Sequence, residues 1–339
     1  MTNFLYTYGL YFAEILTLAL FILIVVAGIA AIISKGKSKE KEKIEITRLS
    51  EKYQDIKSEL QCEICSKKEL KEIEKKEKAL AKLKQKEEKA GKEIPKKRIF
   101  ILNFSGDIQA SAVENLREEV TAVLTVATPK DEVLVCIESS GGMIPNYGLA
   151  ASQLKRIRDR NIPLIAAVDK VAASGGYMMA CVANKIFAAP FAILGSIGVI
   201  AQLPNFHRLL KKHDIDFEQI MAGEYKRTLT MFGENTSKGR KKFQEEVDEV
   251  QGLFKSFVAM NRPMVNIDSI ATGEHWYGVT AKELRLVDEI ITSDDYLLTE
   301  SEKSDLYKVE FITKKGLMDR FGIKLHKAFS KLAAKSLHF

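Results

Sequence analysis

The chain has 339 residues, 46% of them hydrophobic, with 52 Lys plus Arg, 45 Asp plus Glu and only 4 Cys. That composition excludes a wholly disordered chain and a small disulfide-built scaffold, and the length suits one large domain or two ordinary ones. The net charge of +7 is local: residues 35–98 hold 22 Lys plus Arg against 14 Asp plus Glu, so the rest of the chain is nearly neutral and offers no footprint for nucleic acid.

Residues 15–34 form an uncharged, mostly apolar run. As a helix it would measure about 30 Å, the thickness of a bilayer's hydrocarbon core. Tyr6, Tyr8 and Tyr11 precede it, where interfacial aromatics sit. It has no basic region before it, and lysines rather than a small-residue cleavage site follow it. A retained transmembrane anchor within residues 1–34 is therefore predicted in preference to a cleaved signal peptide. Lys35, Lys37, Lys39, Lys41 and Lys43 follow the span, and the positive-inside rule places the bulk of the chain with them in the cytoplasm.

Residues 35–97 are rich in Lys and Glu, lack Pro before Pro95, and space Ile44, Leu49, Ile56, Leu60, Ile64, Ile73, Leu80 and Leu83 roughly as a helix does. A charged helical stalk or helical hairpin is expected. Cys62 and Cys65 form a single C-x-x-C, which on a helix share one face. With no second pair and no nearby His they predict no zinc site, and with no βαβ context no redox motif.

From residue 98 the pattern changes to alternating strands and helices. Buried strands are predicted at 98–104, 132–138, 163–168 and 185–188, with helices at 112–126, 147–158 and 174–182 between them. That alternation implies parallel strands in an α/β layered fold over residues 98–315. A long helix near 238–260, a short one at 280–287 and a terminal strand near 306–313 complete it. Residues 316–339 place Leu317, Phe321, Leu325, Ala328 and Leu332 on one helical face, which suits either a membrane surface or docking on the domain.

Two glycine-rich turns follow strands, Ser139-Ser140-Gly141-Gly142 and Ala173-Ser174-Gly175-Gly176. Both lie on the sheet edge where open α/β folds bind ligands. Glycine there lets backbone approach a substrate and aim N–H groups at an oxyanion. Ser174, at a helix N-terminus, suits a nucleophile and equally an N-cap. Neither turn is a dinucleotide fingerprint or a Walker loop. Of the five His, none is in a glycine-flanked turn, and only His275, beside Trp276, stands in reserve as a base. A lysine made neutral by burial is the other option.

The order of four motifs resembles the signal peptide peptidase A family of membrane serine proteases. They are Ser139–Gly142, the turn at 172–177, Gly195-Ser196-Ile197-Gly198 and Gly223-Glu224-Tyr225-Lys226-Arg227, followed by a family-like segment at 271–290. The anchor and stalk resemble one branch of it in particular. The resemblance implies a ClpP/crotonase-like fold and a Ser/Lys dyad: Ser174 as nucleophile, Lys226 as general base, Ser196 orienting the amine, and the N–H groups of Gly142 and Gly175 as oxyanion hole. It implies no metal, nucleotide or other cofactor. Two positions depart from the pattern, Ser140 where Pro is usual and Arg285 where Gly is frequent. Val199 stands where ClpP-type relatives carry their His, against a Ser-His-Asp triad.

The resemblance further implies a ring-like homo-oligomer at the bacterial inner membrane that takes peptide or protein substrates, with its active site outside the cytoplasm. The lysine cluster after the anchor argues for the opposite side. The apolar stretch 186–203 would pass for a membrane span, but the family places it inside the domain. The reading is a membrane-anchored serine endopeptidase acting on membrane-derived or signal peptides and misfolded proteins. The competing readings are a crotonase-like acyl-CoA enzyme, which would be expected to use Glu or Asp rather than Lys226, and a catalytically silent membrane scaffold.

Overall fold

A computed structural model describes residues 11–12, 15–23, 43–89 and 96–312. The chain divides into two compact units, residues 1–43 with 312–339, and residues 44–311. In the first, residues 15–23 are helical and the apolar side chains of Ile15, Leu18, Phe21 and Leu23 are exposed. Residues 24–34 of the predicted anchor and the predicted tail helix at 316–339 lie outside the described residues. Among the described residues, no helix is long and apolar enough to cross a membrane.

The predicted stalk is not helical throughout. Its described residues begin with a strand, β1 (Lys43–Arg48), in which β-branched Ile44, Ile46 and Thr47 favour extended chain. Helix α1 (Leu49–Ile64) follows. Its first turn docks Leu49 and Tyr53 on the buried cluster that includes Ile99, Leu297 and Leu306, and the Ser50 hydroxyl accepts a bond from Leu306 N–H at 2.8 Å. Beyond that turn Ile56, Leu60 and Ile64 are exposed. A break at Cys65 separates α1 from α2 (Lys67–Lys89). Ser66 and Glu69 form a capping box there: the Glu69 carboxylate accepts from Ser66 N–H at 2.8 Å, and Ser66 Oγ accepts from Glu69 N–H at 3.4 Å. Cys62 thus lies within α1 and Cys65 just past its end, so they do not share a helix face.

The remaining elements, together with β1, assemble a mixed α/β fold around a ten-stranded sheet. Its centre is β2 (Arg98–Gly106), β3 (Glu132–Ser139), β4 (Leu164–Val168) and β6 (Lys185–Ala188), each parallel to the next. Side chains alternate across it. Ile99, Ile101, Leu134, Ile165 and Phe187 pack on one face, while Phe100, Leu102, Phe104, Val133, Val135 and Ile137 pack on the other. Burial on both faces is what a parallel sheet requires, and each such side chain contributes roughly 1.5–3 kcal/mol by leaving water.

Helix α3 (Val113–Val126) buries Val113, Leu116, Val120 and Val123 at three- and four-residue spacing. Helix α4 (Ile144–Arg158) buries Tyr147, Ala150, Ala151, Leu154 and Ile157 on the same face of the sheet. Three short strands branch from the main path: β5 (Val171–Ala173), β7 (Ile193–Gly195) and β8 (His275–Tyr277). Strand β5 runs parallel to both β3 and β7, and β8 runs antiparallel to β7. The stretch 186–203 that would pass for a membrane span supplies β6, β7 and the buried side chains Ile186, Ala188, Leu194 and Ile197.

Between β5 and β6 lies α5 (Gly175–Ala180), and between β7 and β8 lie α6 (His207–Lys212), α7 (Ser237–Asn261) and α8 (Ile267–Ile270). Thr236 caps α7, its hydroxyl accepting from Gly239 N–H. After β8 come α9 (Gly278–Glu283), β9 (Glu289–Ile290) and α10 (Ser293–Glu300), and β10 (Asp305–Ile312) returns beside β2.

Candidate active site

The C-terminal edge of this sheet gathers the glycine-rich turns. Strand β3 ends at Ser139, in register with Ala172 of β5, and Ala173 of β5 is in register with Gly195 of β7. The next residues out, Ser174 and Ser196, therefore leave the ends of two adjoining parallel strands. Ser174 N–H donates to Gly195 O at 2.8 Å, and Ser196 N–H donates to Glu274 O at 2.7 Å.

Ser174 has φ 51° and ψ −117°, a conformation that costs a non-glycine residue on the order of 1–3 kcal/mol. The strain sits in a strand-to-helix elbow between β5 and α5, the local geometry that thrusts a side chain out over a sheet. The hydroxyl makes no capping hydrogen bond to α5. Helix capping is thus not what holds it there. Ser196 is strained as well, at φ 49°.

The first turn folds against this elbow. Gly141 has φ +88°, and a Cβ on it would lie 2.7 Å from both Ser174 Cβ and Gly175 N. A Cβ on Gly142 would lie 2.1 Å from Ile108 O. Only glycine fits at either place. Gly142 N–H has no backbone partner among the described residues. Gly175 is the first residue of α5, where a helical N–H has no intrahelical acceptor. Among the described residues, these two backbone donors beside the Ser174 elbow have no partner. Ser140 is exposed.

Lys226 is carried by the connection between β7 and β8. It is exposed in an irregular segment between α6 and α7, its N–H donates to Gly223 O at 3.2 Å, and among the described residues no hydrogen bond joins it to Ser174 or Ser196. Around it, Glu224 pairs with Lys238, and Lys238 and Lys242 lie over the Tyr225 ring at 5.9 and 5.6 Å. The segment turns Phe217, Ile220, Met221, Tyr225 and Phe232 outward, Ile220 with 97% of its surface exposed. The sheet edge thus gathers Ser174, Ser196 and the glycine-rich turn at Gly141 and Gly142, while Lys226 stands on the exposed connection between α6 and α7.

His275, the reserve base, is an exposed residue of β8 in register with Gly195. Its neighbour Trp276 lays its ring on Gly195, where a Cβ would meet it at 2.7 Å. Three-residue strands carry no periodicity, so nothing in the sequence foretold this cover. A cavity of about 160 Å³ lies on the same sheet edge between Phe104, Cys136, Glu138 and Asp169, and Ser174 is not among its walls. Among the described residues, no group of three or more His, Cys, Asp or Glu is placed to hold a metal ion.

Comparison with known proteins bears on the whole chain. Residues 3–154 match the N-terminal region of peptidase family S49, and residues 156–307 match peptidase family S49 itself. The probable protease SohB of Haemophilus influenzae is 50% identical over 329 residues, 95% of this chain and 93% of its own. The probable protease SohB of Buchnera aphidicola from Acyrthosiphon pisum is 56% identical over 226 residues, 67% of each chain. A putative signal peptide peptidase SppA of Enterococcus faecium is 32% identical over 167 residues, 49% of this chain and 48% of its own. SohB is the branch that the anchor and stalk sequence resembles. The chain belongs to peptidase family S49, and with it to the proteases.

Proposed function

We propose that the chain is a membrane-anchored serine endopeptidase with a Ser174/Lys226 dyad. The observation that carries this is the strained Ser174 elbow, whose hydroxyl caps no helix and is bordered by the unpaired N–H groups of Gly142 and Gly175. Ser174 Oγ attacks the scissile carbonyl carbon while the Lys226 amine takes its proton. The oxyanion accepts hydrogen bonds from Gly142 and Gly175, and the lysine returns the proton to the leaving amine. Water then hydrolyses the acyl-Ser174 ester. Ser196, one strand away, orients the amine.

This chemistry requires the amine of Lys226, in the segment around Ile220, to stand beside Ser174 Oγ. The outward apolar side chains around Ile220 support a homo-oligomeric, ring-like assembly in which that segment is covered. The uncharged run at 15–34 and the exposed apolar helix at 15–23 support anchoring in the bacterial inner membrane, with membrane-derived or signal peptides and misfolded proteins as substrates.

The test is cleavage of an unfolded protein and of apolar fluorogenic peptides by the full chain in detergent micelles. Ser174→Ala and Lys226→Ala are each expected to lower kcat by about 10³-fold or more, as when one member of a catalytic unit is lost. Cleavage undiminished by Ser174→Ala overturns the reading, and survival of Lys226→Ala alone reassigns the base.

A further inference from the structure

A chain of buried hydroxyls lies directly beneath the Ser139–Gly142 turn. Tyr147, on α4, is 0% exposed, and its phenol donates to Asp107 O at 2.7 Å. Burial pushes that phenol's pKa up, which keeps its proton in place. A phenol has one proton, so across the 2.5 Å contact between Tyr147 Oη and Ser139 Oγ it is the serine that donates. Ser139, 2% exposed, then accepts from Gly141 N–H at 3.0 Å. The direction is fixed along the whole chain, from the Gly141 amide through Ser139 and Tyr147 to the Asp107 carbonyl.

The Gly141 amide is thereby turned inward, whereas Gly142 N–H has no hydrogen-bond partner among the described residues. The ring of the same tyrosine walls the other half of the site, since a Cβ on Gly175 would meet Tyr147 Cγ at 2.4 Å. Gly106 admits the two hydroxyls: a Cβ there would stand 2.5 Å from Tyr147 Oη and 2.7 Å from Ser139 Oγ. One side chain thus reaches both amide-bearing turns, one through its hydroxyl and one through its ring.

We infer that Tyr147 and Ser139 are positioning residues, which fix the aim of the Gly142 N–H relative to the Gly175 N–H for the oxyanion of peptide hydrolysis. This rests on the proposed role of Ser174 and those two amides. Neither side chain touches substrate. Their effect falls on a group that matters more to the tetrahedral intermediate than to bound substrate, and so on kcat rather than on KM.

The test is steady-state peptide hydrolysis by Tyr147→Phe, which keeps the ring against Gly175, by Ser139→Ala, and by the double variant. Active sites are titrated with a fluorophosphonate, so that kcat is counted per competent site and incomplete folding does not enter. Each single variant is expected to lose about 10- to 100-fold in kcat, somewhat less than deletion of an oxyanion donor, with KM within about 3-fold. The double variant should be no slower than the slower single, because both cut the same chain. Unchanged kcat per titrated site, a loss confined to KM, or fully additive losses overturn the inference. Ser174→Ala measured in parallel separates the two readings: wild-type cleavage there would mean that the nucleophile, not the positioning chain, is wrong.

Discussion

Removing the buried guanidinium of Arg262 should cost more stability than loss of any surface charge. Arg262 follows α7 and is 1% exposed. It donates to Asp288 at 2.8 and 3.0 Å and to Arg285 O at 2.8 Å. Asp288 Oδ2 also accepts from Ile186 N–H at 2.7 Å, and Tyr177 of α5 donates to Leu286 O at 3.0 Å. One turn therefore ties α7, β6 and the helix that begins after Ser174. In Arg262→Leu the apolar volume is largely kept, but a carboxylate built for a partner loses it.

Breaking such a pair costs about 3–5 kcal/mol. The Asp288 side chain is 29% exposed and water can partly replace the lost partner, which favours the lower end, about 3 kcal/mol. At about 2–4 °C per kcal/mol for a domain of this size, the melting temperature should fall by roughly 6–12 °C. Urea unfolding followed by circular dichroism measures it, as a lower midpoint at unchanged slope. Adding Asp288→Asn, which keeps an acceptor for Ile186 N–H but removes the charge, should recover at least about 1 kcal/mol relative to additivity. A loss below about 1 kcal/mol, or strict additivity, would refute the reasoning.

Three further outcomes are expected. Burial opposes ionisation of Asp131, but its bonds from Arg98 and Thr128 hold the carboxyl down to about 2. Because an unfolded Asp titrates near 4, the stabilisation is complete above about pH 5 and is lost as pH falls through about 2. Urea midpoints of wild type and Asp131→Asn should therefore converge over that range, and a constant gap would contradict the pairing. Gly141→Ala, at φ +88° and with its methyl 2.7 Å from Ser174 Cβ, should lower kcat by more than about 10-fold while circular dichroism stays unchanged. Iodoacetamide at pH 8 should label exposed Cys62 and spare Cys181, whose buried thiol is pushed up to about 12; mass spectrometry of the native protein distinguishes the two.

Much of the central sheet was legible because parallel strands covered on both faces read as apolar runs. The predicted strands at 98–104, 132–138, 163–168 and 185–188 correspond to β2, β3, β4 and β6 within a residue or two. The helices at 112–126 and 238–260 were marked by their periodicity and, in the second, by freedom from Pro. Strands β5, β7 and β8 were not legible, since three residues have no pattern and are extended only because a neighbour pairs with them. Strand β1 was hidden among charges that suggested helix, although Ile44 and Ile46 alternate. The Ser66/Glu69 capping box stood in the sequence as S-x-x-E and marked the break at Cys65.

At the site, the glycine turns and Ser174 were visible as strand-to-helix junctions, whereas Ser196 and Lys226 came from the family resemblance alone. Tyr147 read as the start of a helix at 147–158. Its role under the turn needs Asp107 and Ser139, which the fold, not the local sequence, brings to it. The segment around Lys226 was not readable either, because it turns its apolar side chains outward rather than onto the core.

Covalent capture of the nucleophile tests the catalytic claim most directly. The full chain in detergent micelles is treated with a fluorophosphonate, digested, and mapped by tandem mass spectrometry. One adduct on Ser174, absent from Ser174→Ala and formed more slowly by Lys226→Ala, is the predicted result. An adduct on another serine, or peptide hydrolysis that persists in Ser174→Ala without labelling, would contradict a Ser174-centred protease.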